Sequence, residues 1–223
     1  LSRSDRVRLV LGSRSPARLS TLRNAGVDPI VVVSNLDEDA LLATLDPAAT
    51  PEQIVGALAL GKAMEVAEGL STEIKRDKVD DRTRLVVLGC DSMLHINGRM
   101  VGKPHSPEVA KERIREMRGG DAVLWTGHAV VEVSEDGAVG SPQVASASTI
   151  VHFGDISDEE IDAYVASGEP LEVAGSFTID GLGGPFIRGV TGDPHSVVGV
   201  SLPLLRDLVS RLGIFWPDFW TSK

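Results

Sequence analysis

The segment Gly12-Ser13-Arg14-Ser15-Pro16-Ala17-Arg18 brings two hydroxyls and two guanidinium groups to a point where a strand gives way to a helix. Ser15 suits an N-cap and Pro16 the first helical position, where the N–H that proline lacks has no intrahelical partner. Such a helix start offers unpaired backbone N–H groups and the positive end of the helix dipole. Cations in its first turn oppose the dipole by about 0.3–1 kcal/mol each, and a bound anion reverses that sign. Phosphate is the natural ligand, held by N–H groups and a guanidinium fork; an exposed basic helix start is the alternative. Asp91 follows an apolar strand, at the edge where α/β sheets collect ligands. Asp37, Glu38 and Asp39 form an acidic cluster in the loop after the second strand. Carboxylates gathered from separate loops suit magnesium bridging protein and phosphate oxygens, and one can take a proton from water. A solvated acidic loop has the same composition.

Lys62 lies on a helix with Leu58 and Val66 four residues to either side, which puts its ammonium at the edge of an apolar stripe. It either snorkels to water or serves a ligand. The surrounding Gly56-Ala57-Leu58-Ala59-Leu60-Gly61-Lys62-Ala63 has P-loop spacing, but alanine replaces the magnesium-binding hydroxyl and the run sits inside a helix, so a P-loop is rejected. Gly102-Lys103-Pro104 presents a lysine on a short turn, for a ligand or simply for solvent. The five histidines form no i, i+3 or i, i+4 pair and one cysteine cannot complete them, so a structural zinc site is not expected. No G-x-S-x-G elbow supports a serine hydrolase. Cys90 reads as a small buried residue at a strand end.

These groups need a scaffold, and the patterning supplies one. Residues 7–11 read as a strand, followed by the loop and a helix to Ala25 closed by Gly26; residues 30–33 read as a second strand. Thr50-Pro51-Glu52-Gln53 is a capping box opening a helix with apolar residues at 54, 55, 58, 59, 63, 66, 67 and 70. The charged segment 71–84 reads as an exposed connection, and 85–88 as a strand covered on both faces and ending at Gly89-Cys90-Asp91. Residues 93–96 and 99–101 form a hairpin across Asn97-Gly98, whose positive φ angles suit a type I′ turn. A helix from Ser106-Pro107-Glu108 through Met117, long antiparallel strands at 122–133 and 144–153, and a second capping box at Ser157-Asp158-Glu159-Glu160 follow. A glycine-rich stretch over 175–192 precedes a last helix over roughly 196–212, with a kink expected at Pro203. Strands and helices mix without strict alternation, which predicts an α/β fold with a mixed sheet flanked by helices.

Among 223 residues, 42% hydrophobic and 24% charged, there is ample material for a core and none for a disulfide framework. A net charge of −10 argues against a general nucleic-acid or anionic-membrane binder. Arg3, Arg6 and Arg8 precede only a three-residue apolar run, too short for a signal segment or a span, so a cytoplasmic location is expected. Trp216, Phe219 and Trp220 pack the C-terminal tail onto the body or form an interface.

Taken in order, Ser13-x-Ser15-Pro16-x-Arg18, Asp37-Glu38, Lys62-Ala63, Gly89-x-Asp91-Ser92, Gly102-Lys103-Pro104, Tyr164-x-x-Ser167-Gly168-Glu169-Pro170, Ala174-Gly175-Ser176-Phe177 and Val197-Val198-Gly199 resemble the Maf family of septum-formation-inhibitor-like nucleoside triphosphate pyrophosphatases. The resemblance covers about residues 7–213 and implies one domain over 1–213, followed by an aromatic tail over 214–223. It also implies an inosine triphosphate pyrophosphatase-like fold with a cleft between two lobes, and a homodimer. The reaction it implies is attack of water on the α-phosphorus of a nucleoside triphosphate, releasing the monophosphate and pyrophosphate. By position, Ser13, Arg18, Lys62 and Lys103 would hold phosphates, Glu38 would help bind a divalent metal (Mg2+ or Mn2+), and Asp91 would be the general base or a metal ligand. A triphosphate demands concentrated cations even on an acidic chain. A nucleotide-binding regulator of cell division with incidental hydrolysis, or a phosphatase acting on the γ-phosphate, would use the same pocket.

Three departures concern the base. Where the pyrimidine-selective branch of that family has a second arginine, a threonine after the aspartate and a glutamine, this chain has Ala17, Ser92 and Asp180. An aspartate only accepts hydrogen bonds, so Asp180 suits N–H donors such as guanine N1 and N2. The run Gly175-Ser176-Phe177 to Asp180-Gly181-Leu182-Gly183 also resembles the branch acting on 7-methylguanosine triphosphate. Broad or guanine-leaning specificity is the expectation.

Overall fold

Capping chemistry and apolar patterning set most element boundaries near the amino terminus. The computed structural model describes residues 6–77 and 83–220; Arg3 and residues 78–82 of the charged segment lie outside the described residues. Strand β1 (Arg6–Leu11) leads into helix α1 (Pro16–Asn24), where the Ser15 hydroxyl accepts from the Arg18 N–H and Pro16 opens the first turn. Gly26, at φ +82°, turns the chain away after the helix. The second strand is shorter than expected, β2 being only Ile30–Val31. The acidic cluster is not a loop. Asp37 caps helix α2 (Glu38–Thr44) through the Ala40 N–H, and Glu38 and Asp39 occupy its first turn, where negative charge meets the positive end of the dipole.

The capping box at Thr50 is reciprocal: the Thr50 N–H donates to Gln53 Oε1 at 2.8 Å and the Gln53 N–H to Thr50 Oγ1 at 3.3 Å. It opens helix α3 (Pro51–Asp77), which continues through seven residues assigned above to an exposed connection. Ser71 explains part of the extension, because it is buried and its hydroxyl donates to the Gly137 carbonyl at 2.6 Å. Residues 85–88 and 93–96 are one strand rather than two: β3 runs unbroken from Thr83 to Ile96, so Gly89-Cys90-Asp91 lies inside it and not at its end. Strand β4 (Arg99–Val101) pairs with it in antiparallel fashion across Asn97 and Gly98, whose φ angles of 49° and 74° are those of the expected turn.

Helix α4 (Pro107–Met117), strands β5 (Asp121–Val133) and β6 (Gln143–Phe153), and helix α5 (Asp158–Ala166) follow; the capping box at Ser157 and Glu160 is complete. Three short 3-10 turns, at Glu169–Glu172, Ala174–Ser176 and Gly184–Phe186, lead into and through the glycine-rich stretch, and strand β7 (Ile187–Thr191), which sequence patterning misses, follows. The last helix is two. Helix α6 (Pro194–Val198) stops at Gly199, at φ +119°, and α7 (Leu202–Arg211) begins with Pro203 in its first turn, where proline costs no hydrogen bond and makes no kink.

The strands order as β2-β1-β3-β5-β6-β7, with β4 on β3. β1 runs parallel to β2 and β3, whereas β3–β4 and β6–β7 are antiparallel. The sheet is therefore mixed, as expected. The chain divides into two compact units, one of Leu1–Asp91, Gly127–Ser146 and Leu202–Lys223, the other of Ser92–Thr126 and Ala147–Ser201. In the first unit α3 lies on the strands with small residues, Ala59, Ala63 and Ala67, all fully buried with Val10, Val87 and Val131. The approach is close enough that a Cβ at Gly89 would stand 2.2 Å from the Ala59 carbonyl oxygen, and one at Gly127 2.1 Å from that of Val55. The C-terminal segment belongs to this unit: Phe219 is buried, and the Trp220 ring covers Gly26. In the second unit α4 and α5 enclose Leu94, Ile114, Phe153 and Ile161, and Phe153 meets Phe177 edge-on at 5.1 Å.

Candidate functional site

The Gly12 N–H still donates to the Leu88 carbonyl at 2.8 Å, so the loop leaves the sheet only at Ser13. Ser13 is nearly buried, and its hydroxyl oxygen accepts from the Ser15 N–H at 3.2 Å and from Arg18 Nη1 at 3.0 Å. Arg18 therefore folds back over the loop. No acidic residue occupies the first turn of α1, so the positive helix end and the guanidinium reinforce one another. Ala17 is half-buried on the same turn.

Lys62 does not snorkel to water. Its ammonium donates to Asp91 Oδ1 at 2.6 Å and lies 2.9 Å from Glu38 Oε1, with side-chain exposures of 12% for the lysine, 10% for Asp91 and 49% for Glu38. Three elements meet at this nitrogen: α2 presents Glu38 from its first turn, α3 presents Lys62, and the interior of β3 presents Asp91. A carboxylate buried inside a strand costs several kcal/mol unless paired, and the pairing is what allows Asp91 to occupy that position. Burial pushes the Asp91 carboxyl above its ordinary value; the Lys62 charge and hydrogen bond, and then Arg18, pull it down, and Glu38 pushes it up again. Ser13, Arg18, Glu38, Lys62 and Asp91 thus form one cluster within the first unit. Its oxygens are hard donors of the kind magnesium and manganese take, and two carboxylates suffice where substrate phosphates and water complete the shell. The residues present fit such an ion. Among the described residues no group of three or more histidines, cysteines or acids could hold a metal by itself.

Cys90, beside Asp91, is completely buried, and burial pushes its thiol up to about 11, against the pull of Arg18 and Lys62. It is a neutral packing residue within the strand rather than at its end, and no nucleophile.

The second unit holds the other candidates. Lys103 is half-exposed, 3.8 Å from Glu172 Oε2, and the preceding Gly102 carbonyl accepts from Arg113 Nη1 at 2.6 Å. The Ser92 hydroxyl lies 2.9 Å from that of Thr126, which donates to the Ser196 carbonyl at 3.0 Å. Asp180 is exposed on the turn between Phe177 and Gly184. Patterning alone assigns no task to Glu169, which sits between Gly168 (φ +80°) and the buried Pro170. Its carboxylate reaches into the glycine-rich turn and accepts from Thr178 Oγ1 at 2.5 Å, the Leu182 N–H at 3.0 Å and the Gly183 N–H at 3.1 Å. A carboxylate fixed between a left-handed glycine and a proline was the available signal. Among the described residues no helix is long and apolar enough to cross a membrane.

Comparison with known proteins extends these observations. The family model described as Maf-like protein matches residues 8–212. The nucleoside triphosphate pyrophosphatase of Mycolicibacterium gilvum (strain PYR-GCK) is 51% identical over 214 residues, covering 96% of this chain and 99% of that protein. Proteins of the same name from Mycobacterium marinum (strain ATCC BAA-535 / M) and Rhodococcus erythropolis (strain PR4 / NBRC 100887) are 50% and 47% identical, covering 97% and 96% of this chain and 98% and 97% of their own lengths. A match running from within β1 to just past α7 takes in every residue of the cluster and most of each compact unit, and on that basis the chain belongs to the Maf-like protein family.

Proposed function

We propose that the protein is a nucleoside triphosphate pyrophosphatase, cleaving between the α- and β-phosphates to release a nucleoside monophosphate and pyrophosphate. The observation that carries this reading is the Lys62 ammonium held between Asp91 and Glu38, in one unit with Arg18 folded onto Ser13. Relatives about half identical over nearly their whole length bear that name, which supports the same assignment.

In this reading Ser13 and Arg18 take phosphate oxygens in place of the loop's internal hydrogen bond. Lys62 and Lys103 neutralise the remaining polyphosphate charge. Asp91 accepts the proton of the water that attacks the α-phosphorus, the role that suits a buried carboxylate whose orientation a lysine fixes. A divalent ion such as Mg2+ or Mn2+, held by Glu38 and Asp91, would supply charge neutralisation at the phosphate oxygens when bound. Asp180 accepts from the Watson–Crick N–H donors of a guanine, with Ser92 and Ala17 leaving room where a pyrimidine-selective site is narrower, so modified or guanine-type triphosphates are the preferred substrates.

Product analysis on a panel of standard and modified nucleoside triphosphates, with magnesium or manganese present, tests the assignment. Pyrophosphate and monophosphate are expected, with guanine-type substrates ahead of dTTP and UTP. Asp91→Asn is expected to abolish pyrophosphate release while nucleotide still binds. Orthophosphate as the first product would overturn the proposal.

A further inference from the structure

The turn that carries Asp180 is closed by a carboxylate that sequence patterning left without a task. Four donors converge on Glu169: the hydroxyls of Thr178 and Tyr164 and the N–H of Gly183 meet Oε1 at 2.5, 3.2 and 3.1 Å, and the N–H of Leu182 meets Oε2 at 3.0 Å. The Tyr164 hydroxyl in turn accepts from the Thr178 N–H at 3.0 Å. The turn is shaped around these groups. A Cβ at Gly181 would stand 2.6 Å from Glu169 Oε2, and one at Gly183 2.6 Å from both the Thr178 carbonyl oxygen and the Tyr164 hydroxyl. Glu169 itself is held from behind, because its N–H donates to the Ser167 hydroxyl, which donates to the Tyr164 carbonyl. Asp180 lies two residues from Thr178 on one side and two from Leu182 on the other. Both flanks of that exposed aspartate are therefore tied to one carboxylate.

We infer that Glu169 is a positioning residue for base selection: by clasping Thr178, Leu182 and Gly183 it sets where Asp180 meets the nucleobase, without touching substrate itself. The inference rests on the reading of Asp180 given above. An ionised carboxylate is required because all four partners donate. Glutamine offers one acceptor oxygen and one NH2, so a donor would face a donor at either the Oε1 group of three or the Leu182 N–H. A charge-assisted bond lost at one flank of Asp180 is worth about tenfold in discrimination, while the phosphate cluster of the first unit is left intact.

The test measures kcat and KM for GTP and UTP in the wild type, Glu169→Gln, Thr178→Val and Asp180→Asn, together with amide exchange at Leu182 and Gly183. Glu169→Gln is expected to lose about tenfold of the wild-type GTP-over-UTP ratio in kcat/KM, through a raised KM for GTP, and to speed exchange at whichever of the two amides faces the glutamine NH2. UTP hydrolysis should change little. Thr178→Val deletes one donor to Glu169 and the oxygen that accepts from the Gly183 N–H at 3.2 Å, and should shift the ratio in the same direction; it carries the test if the glutamine variant does not fold. If Asp180→Asn lowers the ratio and the folded Glu169 or Thr178 variants keep it, the clasp is overturned and the base reading stands. Equal loss on both nucleotides would mark Glu169 as merely structural and overturn the inference. A wild type without preference for GTP, or one whose preference survives Asp180→Asn, would overturn the base reading and the clasp with it.

Discussion

Gly89→Ala is expected to separate the two partners at the centre of the cluster without changing either of them. The new methyl would lie 2.2 Å from the Ala59 carbonyl oxygen, 2.7 Å from the Ala63 nitrogen and 3.0 Å from the Ala63 Cβ. Each of these belongs to the backbone or first carbon of α3, so no side chain can swing aside. A close carbon–oxygen contact is about 3.3 Å, so helix and strand must part by roughly 1 Å, at a cost of about 1–3 kcal/mol as overpacking. Lys62 is the residue before Ala63 and Asp91 lies two beyond Gly89, so the same shift stretches their 2.6 Å contact. A misplacement of that size near reacting groups costs about a hundredfold in rate. The assay is pyrophosphate release beside thermal unfolding. Gly69→Ala on the same helix is the control, since nothing lies within 4 Å of its Cβ, and it should stabilise by up to about 1 kcal/mol with activity unchanged. A Gly89→Ala protein with wild-type turnover would refute the claim that this backbone approach sets the Lys62–Asp91 geometry.

Other perturbations follow from the same contacts. Lys62→Met leaves Asp91 buried without its cation and should destabilise by about 3–5 kcal/mol in chemical denaturation. Adding Asp91→Asn to it should recover much of that loss, and a double variant as unstable as the sum of the singles would refute the coupling. For Glu169, burial favours the neutral carboxyl, but donation from Thr178, Leu182, Gly183 and Tyr164 wins and holds its pKa below the ordinary 4.5. The stabilisation is therefore present above that ordinary value and lost as pH falls through the lowered one. The melting-temperature gap between wild type and Glu169→Gln should be constant near neutrality and close on the acid side; a gap that widens on acidification contradicts the assignment. Trp220→Ala uncovers Gly26, which a Trp220 ring atom approaches to 3.1 Å of its Cβ position, and should destabilise the first unit by about 1–3 kcal/mol in thermal unfolding while leaving the base preference alone.

The parts legible beforehand were those whose causes are local. Ser15, Thr50, Ser106 and Ser157 announce helix starts because each cap involves residues within a single turn, and Asn97-Gly98 announces its turn for the same reason. The misreadings share a long-range cause. Gly89 looks like punctuation, but its lack of a side chain serves the crossing of α3. Asp91 looks like a strand end because the lysine that permits a buried carboxylate there is 29 residues away. The acidic cluster at 37–39 reads as a loop although its charges suit a first turn, since the seven-residue helix behind it is too short to show a helical apolar period. In the glycine-rich stretch the groups that fold residues 178–183 belong to Tyr164 and Glu169, so composition showed a turn without showing what holds it. The chemical residue types of the candidate site were legible; the partners that fix them in place were not.

The chain contains a single cysteine, and Cys90 is sealed within β3 with its thiol uncharged at physiological pH. Maleimides and disulfide reagents attack thiolates that solvent can reach, so the native chain presents them no target. A cysteine introduced on the surface would be the sole reactive thiol, allowing a dye or spin label to be placed at one chosen position without first removing any natural residue.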